Sequence, residues 1–422
     1  MSAGAAPLGD ALGGFVVLEV GDERGEFAGV LLAGLGAEVI RVEPPGGAPS
    51  RRLGPFASGA PHPERSLHFW RYNLNKKSVT LDLGNSAAAP VLARVAAHAD
   101  VIIDSGEAAA VARRMAAYRE LRAASPRLIV CAITPFGLDG PWRDFKMTDL
   151  TQLAMGGIMA VCGYEPGADG KYDTAPIAPA AWHAYHLGSE YAAVSIAAAL
   201  NFRELSGEGQ EIDVSIHEAI NTCTEFTMPS YIYAGVVVKR QTARHASASI
   251  SPPWLRRAAD GVYVNAIIAP TDREFRALVR LLDDCGVTHD LNSEAFSDPT
   301  RRGRREAQRE IFAALDRLVA SRPAEEIFRR AQALGLAWAP VRRPEENLAD
   351  EHFRRRGSFA AIAHPELGGD LLYPASVATD GERPHFNYRR RAPRLSEHTG
   401  EILARAGYAA DEIAALRAAR II

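Results

Sequence analysis

The chain of 422 residues has room for two or three domains at roughly 150 residues each. Hydrophobic residues make up 47% of it, an ordinary globular share that excludes a disordered chain. Lys+Arg 48 against Asp+Glu 51 leaves a net charge of −3, which does not suit a dedicated nucleic-acid binder with its clustered positive surface.

In chain order, the apolar run Phe15 to Val20 (FVVLEV) predicts a buried strand, and FAGVLLAGLG after it a helix. Ala37 to Glu43 (AEVIRVE) predicts a second strand. A strand–helix–strand unit of about 30 residues implies a parallel pair with a right-handed crossover. A third strand is expected at Ser78 to Leu83, a helix at Ala87 to His98, and strands at Val101 to Asp104 and Arg127 to Thr134 with a helix between them. This alternation predicts a doubly wound α/β domain. The first strand is not followed by GxGxxG: Gly21 and Gly25 are separated by Asp22, Glu23 and Arg24, which removes the best support for a nicotinamide or flavin dehydrogenase.

From Thr148 to Leu200 the chain is Ala-rich and helical, interrupted by a long Gly/Pro/Asp loop at Gly163 to Pro179. The small side chains of the helix from Ala181 to Leu200 permit close approach, so a central place is expected for it. Ser206 to Gln210 reads as a tight turn. Val236 to Trp254 is polar, then basic, then Pro-rich, as a linker or domain boundary would be. Strand character resumes at Gly261 to Ile268, and helices are predicted at Asp272 to Asp284 and Arg304 to Ser321, giving a smaller α/β domain. The four cysteines form no CxxC pair and are expected to be buried thiols, and no Cys/His cluster has metal-ligand spacing. The N-terminal MSAGAAPLGDALGG lacks the features of a signal peptide, and the run Tyr191 to Leu200 is far short of the ~20 residues that span a bilayer. A cytoplasmic protein without a membrane segment is expected.

Four segments occur in order at telling separations: GAEVIRVEPPGG (Gly36 to Gly47), NLNKKSVTLDL (Asn73 to Leu83), SGEGQEIDVSIHEA (Ser206 to Ala219) and APRLSEHTGEIL (Ala392 to Leu403). Through them the chain resembles the class III CoA-transferases, a family that includes formyl-CoA and carnitine CoA-transferases and the related α-methylacyl-CoA racemases. The resemblance extends from about Gly14 to Leu416. It implies a Rossmann-like large domain with a parallel sheet, built from residues 1–225 and 336–422, and a small middle domain of residues 226–335 with linkers. It also implies an interlocked dimer, coenzyme A bound as substrate to the large domain, no permanently bound cofactor and no metal.

Family members move CoA between an acyl-CoA thioester and a carboxylic acid through covalent intermediates on one aspartate. Alignment on the Ala-rich helix puts Tyr185 at that position, within WHAYHLGSEY. A phenol with a pKa near 10 cannot form an acyl anhydride. His183 and His186 are candidate bases or acyl carriers. Glu190 lies five residues on, rotated by about 140° around the helix, and Asp173 lies in the preceding loop. The family's glycine-rich loop corresponds to Ala243 to Pro253, which contains no glycine. Its Glu-Asn-Phe corresponds to Asp104, Ser105 and Gly106, so Ser105 replaces the asparagine that contacts CoA. Lys146 matches a CoA-contacting lysine, and Asn73, Asn75, Lys76 and Lys77 fall where relatives line the nucleotide pocket. Arg41, Arg113 and Arg114 are further phosphate candidates. Thr148 stands before Asp149 where the racemase branch has histidine, which disfavours racemase chemistry. Trp70, Tyr72, Trp142, Phe145 and Trp182 are candidates for an acyl pocket. Three functions follow: a CoA-transferase with an unusual site; a catalytically silent subunit paired with an Asp-bearing homologue, as in benzylsuccinate-type heteromers; or another CoA-ester enzyme, such as a lyase, hydrolase or racemase.

Overall fold

The computed structural model describes residues 10–224, 226–267, 271–375, 378–380, 383–384 and 386–422. The chain divides into two compact units, residues 1–160, 177–229 and 351–422 in the first and 161–176 and 230–350 in the second.

The first unit opens with β1 (Val16–Val20), α1 (Glu26–Gly34), β2 (Glu38–Glu43), α2 (Leu67–Tyr72), β3 (Lys77–Thr80), α3 (Ala88–Ala96), β4 (Val101–Ser105), α4 (Ala108–Ala124) and β5 (Ile129–Thr134). It continues through α5 (Asp149–Met155), α6 (His183–Ser206), β6 (Glu211–Ser215), α7 (Ile216–Asn221) and the start of α8 (Thr227–Ala234). The six strands form one sheet in the order β3-β2-β1-β4-β5-β6, every neighbouring pair parallel. Alternate side chains serve opposite faces. Leu18, Ile40, Ile102 and Val130 join a core with residues of α3 and α4, whereas Val17, Val39, Ile103 and Cys131 join one with residues of α1 and α6. Burial on both faces is why these strands read as continuous Val/Ile runs.

The second unit contains β7 (Leu255–Arg257), β8 (Tyr263–Asn265), α9 (Asp272–Asp284), α10 (Pro299–Arg302), α11 (Arg305–Ala320), α12 (Ala324–Ala333) and β9 (Ala339–Pro340). Its strands form an antiparallel sheet, and Leu278, Leu282, Leu315, Ile327 and Trp338 pack in a core of their own. The expected strand at Gly261 to Ile268 is shorter, and Ile268 lies outside the described residues. The chain then returns to the first unit through α13 (Glu351–Arg355), the hairpin β10 (Phe359–His364) and β11 (Gly369–Pro374), α14 (Thr399–Arg405) and α15 (Ala410–Ala418). Ile402, Leu403 and Ile413 of these last two helices complete the core on the α3/α4 face.

Two of the thiols depart from expectation. Cys131 and Cys285 are buried, but Cys162 is half-buried and Cys223 exposed. No described helix is long and apolar enough to cross a membrane.

Candidate active site

The strand order reverses between β1 and β4, and at such a point the loops leaving the two strands diverge and open a crevice. Here that crevice is a cavity of about 330 Å³ whose lining includes Asp22, Leu83, Ser105, Glu107 and Arg114. A second cavity of about 500 Å³, between α3 and α4, shares Leu83 and Arg114 with it and adds Arg113 and Tyr118.

The β1–α1 loop is held tightly over this point. Gly21 has φ +114°, and a Cβ there would lie 2.0 Å from the Ser105 carbonyl oxygen, so only glycine fits. The Asp22 N–H donates to Ser105 Oγ at 3.2 Å, and the Ser105 hydroxyl donates to the Asp22 carbonyl at 3.0 Å. The buried guanidinium of Arg24 bridges Asp22 and Glu107, the latter at 2.7 Å, and reaches the Met147 carbonyl at 3.3 Å. Lys146, itself exposed, donates to Glu107 at 2.9 Å. Ser189, one turn beyond Tyr185 on α6, donates to the Arg24 carbonyl at 3.1 Å, so the same loop rests on the Tyr185 face of the helix.

The start of α6 is set by Asp149. Its carboxylate accepts from the N–H groups of Trp182 (3.1 Å), Ala184 (2.9 Å) and Tyr185 (3.2 Å), donors that the first turn of a helix cannot satisfy internally. Trp182 takes a left-handed conformation, φ +71°, just before the helix, and its ring lies 4.5 Å from that of His68. Tyr185 is buried, and its phenol is pushed up to about 12 by burial, with Glu23, Asp22 and Asp149 adding against the opposing Arg24. It is therefore protonated at neutral pH. His186 is pushed down to about 4 by burial, with His183, Arg71 and His68 adding. Its neutral ring lies 4.3 Å from Phe27, and Nε2 is 2.7 Å from the Tyr72 hydroxyl. The Tyr72 O–H can donate to Nε2 of a neutral imidazole protonated on Nδ1. His183 is exposed.

The sequence-derived candidates thus separate into groups. Tyr185 and His186 share the first turns of α6, and Ser105 and Arg114 line the crevice. Arg114 is engaged by the buried Asp104 through two hydrogen bonds of 2.7 and 2.6 Å, and Tyr118 donates to the same carboxylate at 2.9 Å. Asn73, Asn75 and Lys76 point inward. Lys76 Nζ donates to both Glu19 oxygens, at 3.0 and 2.8 Å, and to the Glu26 carbonyl at 2.9 Å. Arg41 completes that buried cluster by pairing with Glu19 and Glu26. Asn73 bonds to Glu26 and the Phe69 carbonyl, and Asn75 Oδ1 accepts from the N–H groups of Arg389 and Arg390. Glu190 is exposed on α6. Of the aromatic candidates, Tyr72 and Trp182 surround the His68 and His186 rings, Trp70 packs on His364, and Trp142 and Phe145 cluster with Phe136. Arg24 and Glu107, which tie the loop to the crevice, were not among the residues expected from the sequence. The signal available was the charged triplet between Gly21 and Gly25. Among the described residues no group of three or more His, Cys, Asp or Glu side chains is arranged to hold a metal ion.

Comparison with known proteins agrees with this architecture. The succinyl-CoA:(R)-benzylsuccinate CoA-transferase subunit BbsE of Thauera aromatica is 29% identical over 96% of this chain and 97% of its own length. The succinyl-CoA–D-citramalate CoA-transferase of Chloroflexus aurantiacus is 30% identical over 96% of each. The crystal structure of a CAIB/BAIF family protein from Brucella suis superposes with a TM-score of 0.77 at 26% identity, covering 94% of this chain and 99% of that one. Residues 12–399 match the family model for CoA-transferase family III, and the chain belongs to that family of enzymes.

Proposed function

We propose that this chain moves coenzyme A from an acyl-CoA thioester to a carboxylic acid, with the CoA lying along the crevice at the β1/β4 reversal and the thioester brought to the first turn of α6. The observation that carries this reading is the shared β1–α1 loop, whose Asp22 lines the crevice while its Arg24 carbonyl accepts from α6 one turn from Tyr185. Arg114, Ser105, Arg113 and Lys146 border the nucleotide path and are its proposed contacts. Arg113 lines the larger cavity and makes no ion pair among the described residues, so it suits a phosphate best. Asn73, Asn75 and Lys76 serve beneath the site as scaffold. Because Tyr185 keeps its proton, it acts as a hydrogen-bond donor and not as the attacking group. His186 is a neutral ring held by Tyr72, and His183 is the solvent-side base. The succinyl-CoA activities for which its relatives are named favour a succinyl or similar dicarboxylic acyl group as donor. The reaction takes place in the cytoplasm, in an interlocked dimer of large and small domains.

A second reading is favoured by the phenol at position 185 and by the similarity to a protein named as a transferase subunit. In it, this chain pairs with a homologous chain that supplies the attacking carboxylate. The two readings separate on one experiment. The purified chain is mixed with succinyl-CoA and 14C-labelled succinate, and label entering the thioester is counted. Exchange by the chain alone supports the first reading. Exchange only after addition of an Asp-bearing homologue establishes the second, and CoA-ester cleavage without exchange would reject both.

A further inference from the structure

Three carboxylates bear electrostatically on Tyr185: Asp22, Glu23 and Asp149. Two are committed. Asp149 caps α6 with three backbone hydrogen bonds, and Asp22 holds the Arg24 guanidinium. Glu107 nearby is taken by Arg24 and Lys146, and Glu26 by Arg41 and Ser50. Glu23 differs. Its side chain is half-buried and forms no ion pair among the described residues, and burial together with the neighbouring Asp22 pushes its pKa up from the usual carboxylate value.

The position of Glu23 is fixed on both sides. Before it, Gly21 and Asp22 are locked to Ser105 at the end of β4. After it, the Arg24 carbonyl is held by Ser189 on the face of α6 that carries Tyr185. An uncommitted carboxylate is therefore carried between Asp22, which lines the crevice, and Arg24, whose carbonyl is held on α6, and its charge bears on the protonated Tyr185.

We propose that Glu23 is the nucleophile of this chain, the attacking carboxylate being carried by the β1–α1 loop and not by α6, with the Tyr185 hydroxyl donating to the oxyanion. This rests on the first reading of function above. A Glu23 oxygen attacks the thioester carbon. The C–S bond breaks, the thiolate leaves with the electron pair, and a mixed anhydride remains. The thiolate then attacks Glu23 Cδ, and the anhydride C–O bond breaks to release the donor acid as its carboxylate. The acceptor carboxylate repeats the sequence in reverse on the glutamyl thioester, regenerating the Glu23 carboxylate. No oxidant, reductant or net proton is required. The phenol strengthens its hydrogen bond as the carbonyl oxygen gains charge, and a fixed donor needs no reorganisation at that moment.

The test uses the full chain with succinyl-CoA, quenched by borohydride, followed by peptide mass spectrometry. The expected result is reduction of Glu23 to the alcohol only in the presence of the thioester. Glu23→Gln is expected to lose exchange by about a thousandfold or more while CoA affinity in equilibrium dialysis is kept. Trapping at any other residue, or exchange by Glu23→Gln at the wild-type rate, overturns the assignment while leaving CoA transfer intact. A wild-type chain that exchanges only with a homologue present removes the underlying reading, and this assignment with it.

Discussion

Lys76 was expected at the nucleotide pocket through the family resemblance, yet its three N–H donors turn inward to Glu19 and the Glu26 carbonyl. With Arg41 it balances two buried carboxylates, and removing either cation leaves a net buried negative charge. Lys76→Ala is therefore expected to cost about 3 kcal/mol or more in urea unfolding. A phosphate ligand would behave otherwise, losing CoA affinity at unchanged stability. The pH response of His186 follows from its neighbours. Burial holds the folded ring near 4, against 6.5 for an unperturbed histidine. Between these values the unfolded chain binds a proton that the folded chain does not, so stability falls as pH drops from 6.5 to 4 and the contribution is complete above 6.5. His186→Gln should flatten the Tm–pH curve within that window. An unchanged curve would show that the imidazole titrates normally.

At the scale of elements, the parallel strands were legible because strands buried on both faces are written as near-continuous apolar runs, as in VIIDS at Val101 to Ser105 and IVCAIT at Ile129 to Thr134. The start of α6 was legible to within two residues, but what holds it was not. Asp149 lies 33 to 36 residues before the N–H groups it accepts from, and nothing local in the sequence announces that pairing. The same limit explains Asn73, Asn75 and Lys76: a polar run at a strand start looks identical whether it faces a ligand or a buried ion cluster. The charged triplet Asp22 to Arg24 was visible as a departure from a dinucleotide loop, but its ties to Ser105, Glu107 and α6 are long-range. Asp149→Ala is expected to destabilise the fold by about 2 kcal/mol, because a charged cap on three N–H groups is lost from a buried helix start. Urea denaturation measures this. Full stability with abolished exchange would instead make Asp149 a reacting group.

For the whole molecule, the apolar surface around the end of α8 requires explanation. Tyr231, Ile232, Tyr233 and Val237 are 61%, 65%, 87% and 71% exposed, close together in sequence and without a charged residue among them. Exposed apolar side chains gathered in this way mark interaction surfaces when they form one patch. A second chain covering it would remove apolar area worth roughly 25 cal/mol per Å². The expected outcome in light scattering is a mass at least twice the 45.5 kDa of one chain. Ile232→Glu combined with Tyr233→Glu should shift that mass toward the single chain, since two carboxylates buried at an interface lack partners there. A wild-type chain already at 45.5 kDa would show that the patch has no self-partner. Restoration of the larger mass by an Asp-bearing homologue would then identify that homologue as its cover and favour the heteromeric reading.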